Sequence, residues 1–253
     1  MPVRGMRLGS DMVVMRVDDA QGDGVRPLDN VAWNALTGPQ AGLAERCGQA
    51  VRYRPDITPF AALPAEPDER AWADLAALSG AGRTVLLAGS AAVPPAGWES
   101  VASVPGLQFD GSGVAVAPDP DAIVLGPADV PEMIDLVERT QPGPFLQATI
   151  TMGTYLGLRD ASGALVAMAG ERMRPPGWTE ISAVCTDPAQ RGRGLATRLV
   201  RAVGAVIRAR GEVPFLHTAQ SNASAIRVYE QMGFVLRRPT LFAAFRAPAT
   251  ADV

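Results

Sequence analysis

Hydrophobic and polar positions are strongly patterned in the second half of this chain and weakly patterned in the first, with Ala117-Pro118-Asp119-Pro120-Asp121 as the natural seam. After the seam, strand and helix signals alternate. Ala122 to Leu125 starts a strand; Asp129 caps a helix with Pro131 in its first turn and Met133, Ile134, Leu136 and Val137 on its apolar face. Tyr155 to Arg159 and Leu165 to Met173 form a hairpin about Asp160-Ala161-Ser162-Gly163, and Trp178 to Thr186 continues the meander after Pro175-Pro176-Gly177. Leu195, Leu199, Val203 and Val206 recur at helical spacing, which predicts a long helix over Leu195 to Ala209. Phe215 to Thr218 is a strand and Asn222 to Met232 a helix. Phe234 to Phe245 then finishes the sheet as two strands around Arg238-Pro239-Thr240.

The first half yields less. Asp18 to Gly24 has little apolar surface to bury, so residues 1–25 read as a loosely structured extension. Trp33 to Arg46 has helical character that Gly38-Pro39 divides into two pieces. Trp72, Leu75 and Leu78 give a helix over Arg70 to Leu78, and Thr84 to Ala88 is a compact strand-like run. Leu86-Leu87-Ala88-Gly89 followed by Pro94 to Glu99 echoes Met168-Ala169-Gly170 followed by Pro175 to Glu180. Two readings stand: chance in an Ala- and Pro-rich chain, or a first half that is a degenerate copy of the second. The expected class is therefore mixed α/β, divided into the extension 1–25, an α/β unit 26–117 and a second unit 118–253.

Composition narrows the chemistry. The net charge of −3 supplies no basic footprint for nucleic acid, no apolar run is long enough to cross a bilayer, and Met1 to Asp11 lacks the apolar core of a secretory signal. Cytoplasmic residence is the expectation, without a membrane partner. Cys47 and Cys185 lie far apart and are read as free thiols. All 23 basic residues are arginine and His217 is the one histidine, so a Schiff-base lysine and a multi-histidine metal site are both excluded.

The most informative segment runs from Val184 to Ala196: an apolar strand, a turn through Asp187-Pro188-Ala189-Gln190, then Arg191-Gly192-Arg193-Gly194 opening the long helix. Backbone N–H groups at a helix start lack intrahelical partners and sit at the positive end of the macrodipole, so they suit a pyrophosphate. Gly192 and Gly194 remove the Cβ atoms that would hold a ligand away. Leu195 follows where a P-loop needs Lys-Ser or Lys-Thr, and the glycine register fails the Rossmann fingerprint.

Arg191-x-x-Gly194-x-Ala196 resembles the acetyl-CoA loop of the GNAT N-acetyltransferases. Asn222-Ala223-Ser224-Ala225-Ile226-Arg227-Val228-Tyr229-Glu230-Gln231-Met232-Gly233-Phe234 is similar to that family's following helix, with its Asn, Tyr and Gly-Phe pattern. The resemblance covers about the last half of the chain. It implies a mixed, mainly antiparallel sheet flanked by helices, with a splay between two strands where CoA enters, and leaves open two tandem GNAT-like halves. It further implies acetyl-CoA as cosubstrate, no metal, and a small-molecule or peptide amine as acceptor. Backbone of Val184, Cys185 and Thr186 would hold the pantetheine arm and acetyl carbonyl; Arg191, Gly192, Arg193, Gly194, Leu195 and Ala196 the phosphates; and Asn222 the middle of the arm. Arg191 and Arg193 are equally readable as solvated arginines, and Asn222 also as a plain helix cap.

Direct attack by a neutral amine on a thioester needs a base for the amine and an acid for the departing thiolate. Tyr229, two turns after Asn222 on the same helix face, is the acid that the family pattern implies; without that pattern it would be an ordinary core tyrosine. The base is assigned to Glu180, directly or through water. Pairing Arg174 with Gly177 would set Glu171 opposite Glu180, and facing carboxylates raise the proton affinity of one member; two solvated strand carboxylates are the competing reading. The alternative function is a non-catalytic CoA-binding regulatory or interaction module. Oligomeric state, acyl-chain preference and acceptor identity are left open, with Thr149 to Tyr155 as a possible acceptor wall.

Overall fold

A computed structural model describes residues 26–89 and 92–249; the expected extension 1–25 lies outside them. Eleven strands form one sheet: β1 (Ala44–Cys47), β2 (Ala50–Tyr53), β3 (Phe60–Ala62), β4 (Thr84–Ala88), β5 (Glu99–Asp110), β6 (Ile123–Val124), β7 (Tyr155–Arg159), β8 (Leu165–Glu171), β9 (Trp178–Thr186), β10 (Val213–Ala219) and β11 (Val235–Arg246). Their lateral order is β1-β2-β3-β4-β11-β5-β10-β9-β8-β7-β6. Only β3/β4 and β9/β10 are parallel, so the sheet is mainly antiparallel as expected. Among the described residues five α-helices flank it: α1 (Val31–Leu36), α2 (Glu69–Ser79), α3 (Val130–Thr140), α4 (Leu195–Ala209) and α5 (Ala223–Gln231).

The connectivity repeats. β1, β2 and β3 run antiparallel, and α2 carries the chain over to the parallel β4; β7, β8 and β9 do the same, with α4 leading to the parallel β10. The final strands are exchanged, since β5 pairs with β10 of the other half while β11 pairs with β4. This repeat aligns β4 and β5 with β10 and β11, whereas the sequence echo would have aligned β4 and β5 with β8 and β9. The echo is therefore out of register with the repeat.

Local chemistry accounts for most boundaries. Asp68 caps α2 by accepting from Ala71 N–H at 2.8 Å, and Trp72 and Leu75 bury its apolar face among Val85, Leu87 and Phe245. The α4 stripe seats Leu199, Val203 and Ile207 on Ala167, Ala169 and Ile181, with Tyr229 and Phe234 in the same core. Leu36, Tyr53, Phe60, Met173 and Phe215 form a second core that joins residues from both sides of Ala117.

Several expectations are corrected. The helix expected from Trp33 ends at Leu36, before Gly38-Pro39, and its second piece is a 3₁₀ turn at Ala41–Leu43 followed by strand, because Ala44 to Cys47 finds a partner in β2 across the Gly48 turn. Phe234 to Phe245 is not two strands: β11 stays continuous, absorbing the irregularity as a bulge between Leu236 and Arg238 with Pro239 opposite Leu107. Asp129 occupies the N-cap position of α3 without capping it; its carboxylate accepts instead from Gly126 N–H at 2.8 Å and from Arg159 at 2.7 Å.

Candidate functional site

Two strands part at the centre of the second half. β9 and β10 pair in parallel from Trp178/Val213 only as far as Ile181/Leu216, leaving Ser182 to Thr186 with β8 on one side and no strand on the other. Backbone groups that alternation turns away from β8 therefore face an open cleft, where they need a partner. A bulge sits at the parting: Met168 pairs with Cys185 and Gly170 with Ser182, so Ala183 and Val184 together oppose Ala169. Ala183 takes φ +51°, a left-handed conformation that costs a non-glycine residue roughly 1–2 kcal/mol.

The cleft has a volume of about 730 Å³ and runs from the start of α4 through the strand gap. Val184, Cys185, Thr186, Arg191, Gly192, Gly194, Leu195, Ala196, Asn222 and Tyr229 all line it. Arg193 does not. Its guanidinium bonds Gln190 and lines a neighbouring depression with Asp160, Ser162 and Arg198.

At the α4 end, Gly192 and Gly194 take φ of +77° and +73°, and a Cβ on either would meet nothing within 4 Å. Protein packing thus does not demand these glycines; the backbone turn does, and it leaves the approach to the helix open. Gly194 is the N-cap, and no side chain caps α4. The equivalent helix of the first half is closed, since Asp68 already occupies the start of α2 with a carboxylate that would repel an anion. Thr186 adds a buried Oγ1 without a hydrogen-bond partner among the described residues. A helix mouth with free donors, an unpaired strand edge and an orphan hydroxyl in one cleft fit an extended phosphorylated ligand such as acetyl-CoA. Gly194→Val is expected to weaken acetyl-CoA binding at least about tenfold, checked by calorimetric titration, because Val is strained at positive φ and fills the approach.

Asn222 accepts from Ala225 N–H at 3.1 Å and from the Ser224 hydroxyl at 2.9 Å, so it caps α5 while its amide nitrogen stays available to the cleft. Asn222→Ala should cost about 1 kcal/mol in urea unfolding. The Tyr229 ring is held by Phe109 and Phe234 at centroid distances of 6.4 and 5.8 Å. Burial pushes its hydroxyl up to about 12, and that hydroxyl makes no hydrogen bond to another described residue. Cys47 and Cys185 are both free thiols, as expected. Burial raises the Cys185 thiol to about 11, which argues against a thiolate nucleophile.

The expected carboxylate pair is overturned. The turn closes with Trp178 N–H on the Pro175 carbonyl, and Arg172 and Met173 both bond the backbone of Glu180, so Glu171 lies opposite Ile181. Glu171 bonds Arg210 at 2.8 Å instead. Glu180 is fully buried: Arg172 donates through Nε at 2.8 Å and Nη2 at 2.6 Å, Met173 N–H donates at 3.3 Å, and His217 Nδ1 lies at 2.7 Å. Burial alone would raise its pKa, but Arg172 and His217 outweigh it and hold the carboxyl at about 2. Glu180 does not line the cleft; Arg172 and His217, which it grips, do. Gln108 Nε2 faces His217 Nε2 at 3.0 Å while its Oε1 accepts from Arg237, which assigns His217 the tautomer with the proton on Nδ1, shared with Glu180. None of the residues from Thr149 to Tyr155 lines this cleft; the Thr149 hydroxyl donates to the Ile57 carbonyl and accepts from Leu146 N–H, tying the two halves together. The cleft lining from Thr140 to Pro142 and the role of Arg172 escaped sequence reading, for want of any local signal.

A family model described as FR47-like protein matches residues 155–243. A crystal structure from Novosphingobium aromaticivorans, assigned as an acetyltransferase of the GNAT family, is 43% identical, with a TM-score of 0.81 over 89% of this chain and 100% of that one. The chain belongs to the GNAT family. It is also 37% identical over 83 residues to the N-alpha-acetyltransferase RimI of Mycobacterium tuberculosis, a match covering 32% of this chain and 51%, about half, of that protein. A GCN5-related N-acetyltransferase from Kribbella flavida shares the fold, with a TM-score of 0.57 at 17% identity over 88% of this chain and 98% of that one. Among the described residues no helix is long and apolar enough to cross a membrane.

Proposed function

We propose that the protein is an acetyl-CoA-dependent N-acetyltransferase that passes the acetyl group to a primary amine by direct attack. The observation that carries this reading is the parting of β9 and β10 beyond Ile181 and Leu216, which places free backbone donors, the open mouth of α4 and Tyr229 in one cleft. Acetyl-CoA would supply an activated thioester carbonyl. The amides of Gly192 to Ala196 hold its phosphates, Asn222 meets the arm, and β9 N–H groups near Val184 and Thr186 hold the carbonyl oxygen where negative charge develops. Tyr229 gives its proton to the departing sulfur.

Glu180 acts here as a positioning residue. Its carboxylate is saturated with donors and held far below neutral pH, so water reaching the cleft takes the amine proton while Glu180 fixes Arg172 and the His217 tautomer. The deciding experiment follows thiol release from acetyl-CoA across a panel of primary amines. Amine-dependent release supports the reading. Tight acetyl-CoA binding without release for any amine would instead identify a CoA-binding module.

A further inference from the structure

The end of the cleft away from α4 carries a cation whose free edge has no hydrogen-bond partner among the described residues. Arg172 is 9% exposed and lines the cleft. One face of its guanidinium lies over the Phe60 ring, 5.1 Å from the centroid, and its Nε/Nη2 edge is filled by Glu180. A guanidinium has five N–H donors in a fixed fork. The two donors of Nη1 make no hydrogen bond to any described residue, and Nη1 is not among the sealed, unpartnered atoms of the chain. Ser182, two residues from Glu180 and on the same face of β9, also lines this end. None of the described residues lining the cleft is Asp or Glu, while Arg191 and Arg172 stand at its two ends.

Resting on the acetyl-transfer reading above, we infer that the acceptor is an amine that also carries a carboxylate, docked on the Nη1 edge of Arg172. Stacking on Phe60 and the bidentate grip of Glu180 lock the guanidinium before any ligand arrives, so little side-chain entropy remains to be lost on binding. A carboxylate completes the fork with a charge-assisted hydrogen bond. Acceptors with several ammonium groups meet the opposite situation: they bring positive charge into a cleft that offers two arginines and no carboxylate. Arg191 lies beside the phosphate cradle and serves the other end.

The test measures kcat/KM for thiol release from acetyl-CoA with L-amino acids, each against its own carboxamide, and with spermidine and kanamycin. A pair of dipeptide amides, Ala-Asp and Ala-Asn, separates a carboxylate on a peptide side chain from an α-carboxylate. The expected result is a preference of at least about tenfold for the carboxylate member of one such pair, expressed mainly in KM. Because Arg172→Gln alone strands a buried Glu180, the matching variant is Arg172→Gln with Glu180→Gln, in which the carboxylate-to-carboxamide ratio of kcat/KM should fall to near unity whatever the absolute rate. If that variant does not fold, the wild-type ratio decides. Wild-type turnover with equal rates for carboxylate and carboxamide, or a preference for spermidine or kanamycin, overturns this inference and leaves acetyl transfer standing. No release with any amine despite bound acetyl-CoA overturns both.

Discussion

Glu180→Gln is expected to lower the unfolding free energy by about 3–5 kcal/mol, measured by urea denaturation at neutral pH. Arg172 and Glu180 are buried together with 10% and 0% of their side chains exposed, so removing one charge leaves the other in a low-dielectric site without compensation. Desolvation is the reason for the size of the effect: a buried ion pair contributes little relative to an apolar replacement, yet breaking it is costly. The Arg172→Gln, Glu180→Gln double variant should therefore recover much of the loss, and a double-mutant cycle with near-additive costs would refute the coupling. The pH dependence has a definite sign. Glu180 titrates at about 2 when folded, against 4.5 ordinarily, so its contribution is complete above about 4.5 and drains away as pH falls toward 2. Glu180→Gln should flatten the acid limb of the stability curve across that window.

Tyr229→Phe is expected to reduce kcat by about 100-fold or more while leaving the KM for acetyl-CoA nearly unchanged. The ring is retained, so its packing on Phe109 and Phe234 survives and the loss reports the hydroxyl alone. Burial holds that hydroxyl protonated up to about 12, which suits a group that must arrive at the sulfur with its proton in place. A variant with kcat within threefold of the wild type would remove Tyr229 from the acid role and require water to protonate the thiolate.

How much of this was readable beforehand depends on the range of the interactions involved. β7, β9 and α4 have the bounds their residue patterns predict, because alternation and helical spacing are local signals reinforced by burial on one face. The open turn at the start of α4 was legible for the same reason: Arg191 to Ala196 is a contiguous stretch whose glycines act where they stand. β5 was missed, as its residues from Glu99 to Pro105 are exposed and its pairing partners, β10 and β11, lie far along the chain. The expected pairing of Glu171 with Glu180 failed at the turn between β8 and β9. The turn closes from Pro175 to Trp178, Arg172 and Met173 both bond the backbone of Glu180, and a one-residue slip of this kind sends a side chain to the opposite face of a sheet. Glu171 therefore moved away to Arg210, and Arg172 took its place beside Glu180.

The exchange of final strands has a consequence for biosynthesis. β5 ends at Asp110, but its neighbours begin at Val213 and Val235, about a hundred residues later. At roughly 5–20 residues per second, the ribosome leaves β4 and β5 without the strands they await for about 5–30 s, their edges open to any passing nascent chain. Val101 and Val104 on β5 remain 43% and 47% exposed even when folded, so this interval is when the polypeptide most needs a chaperone, and slowing translation should lengthen its dependence on one.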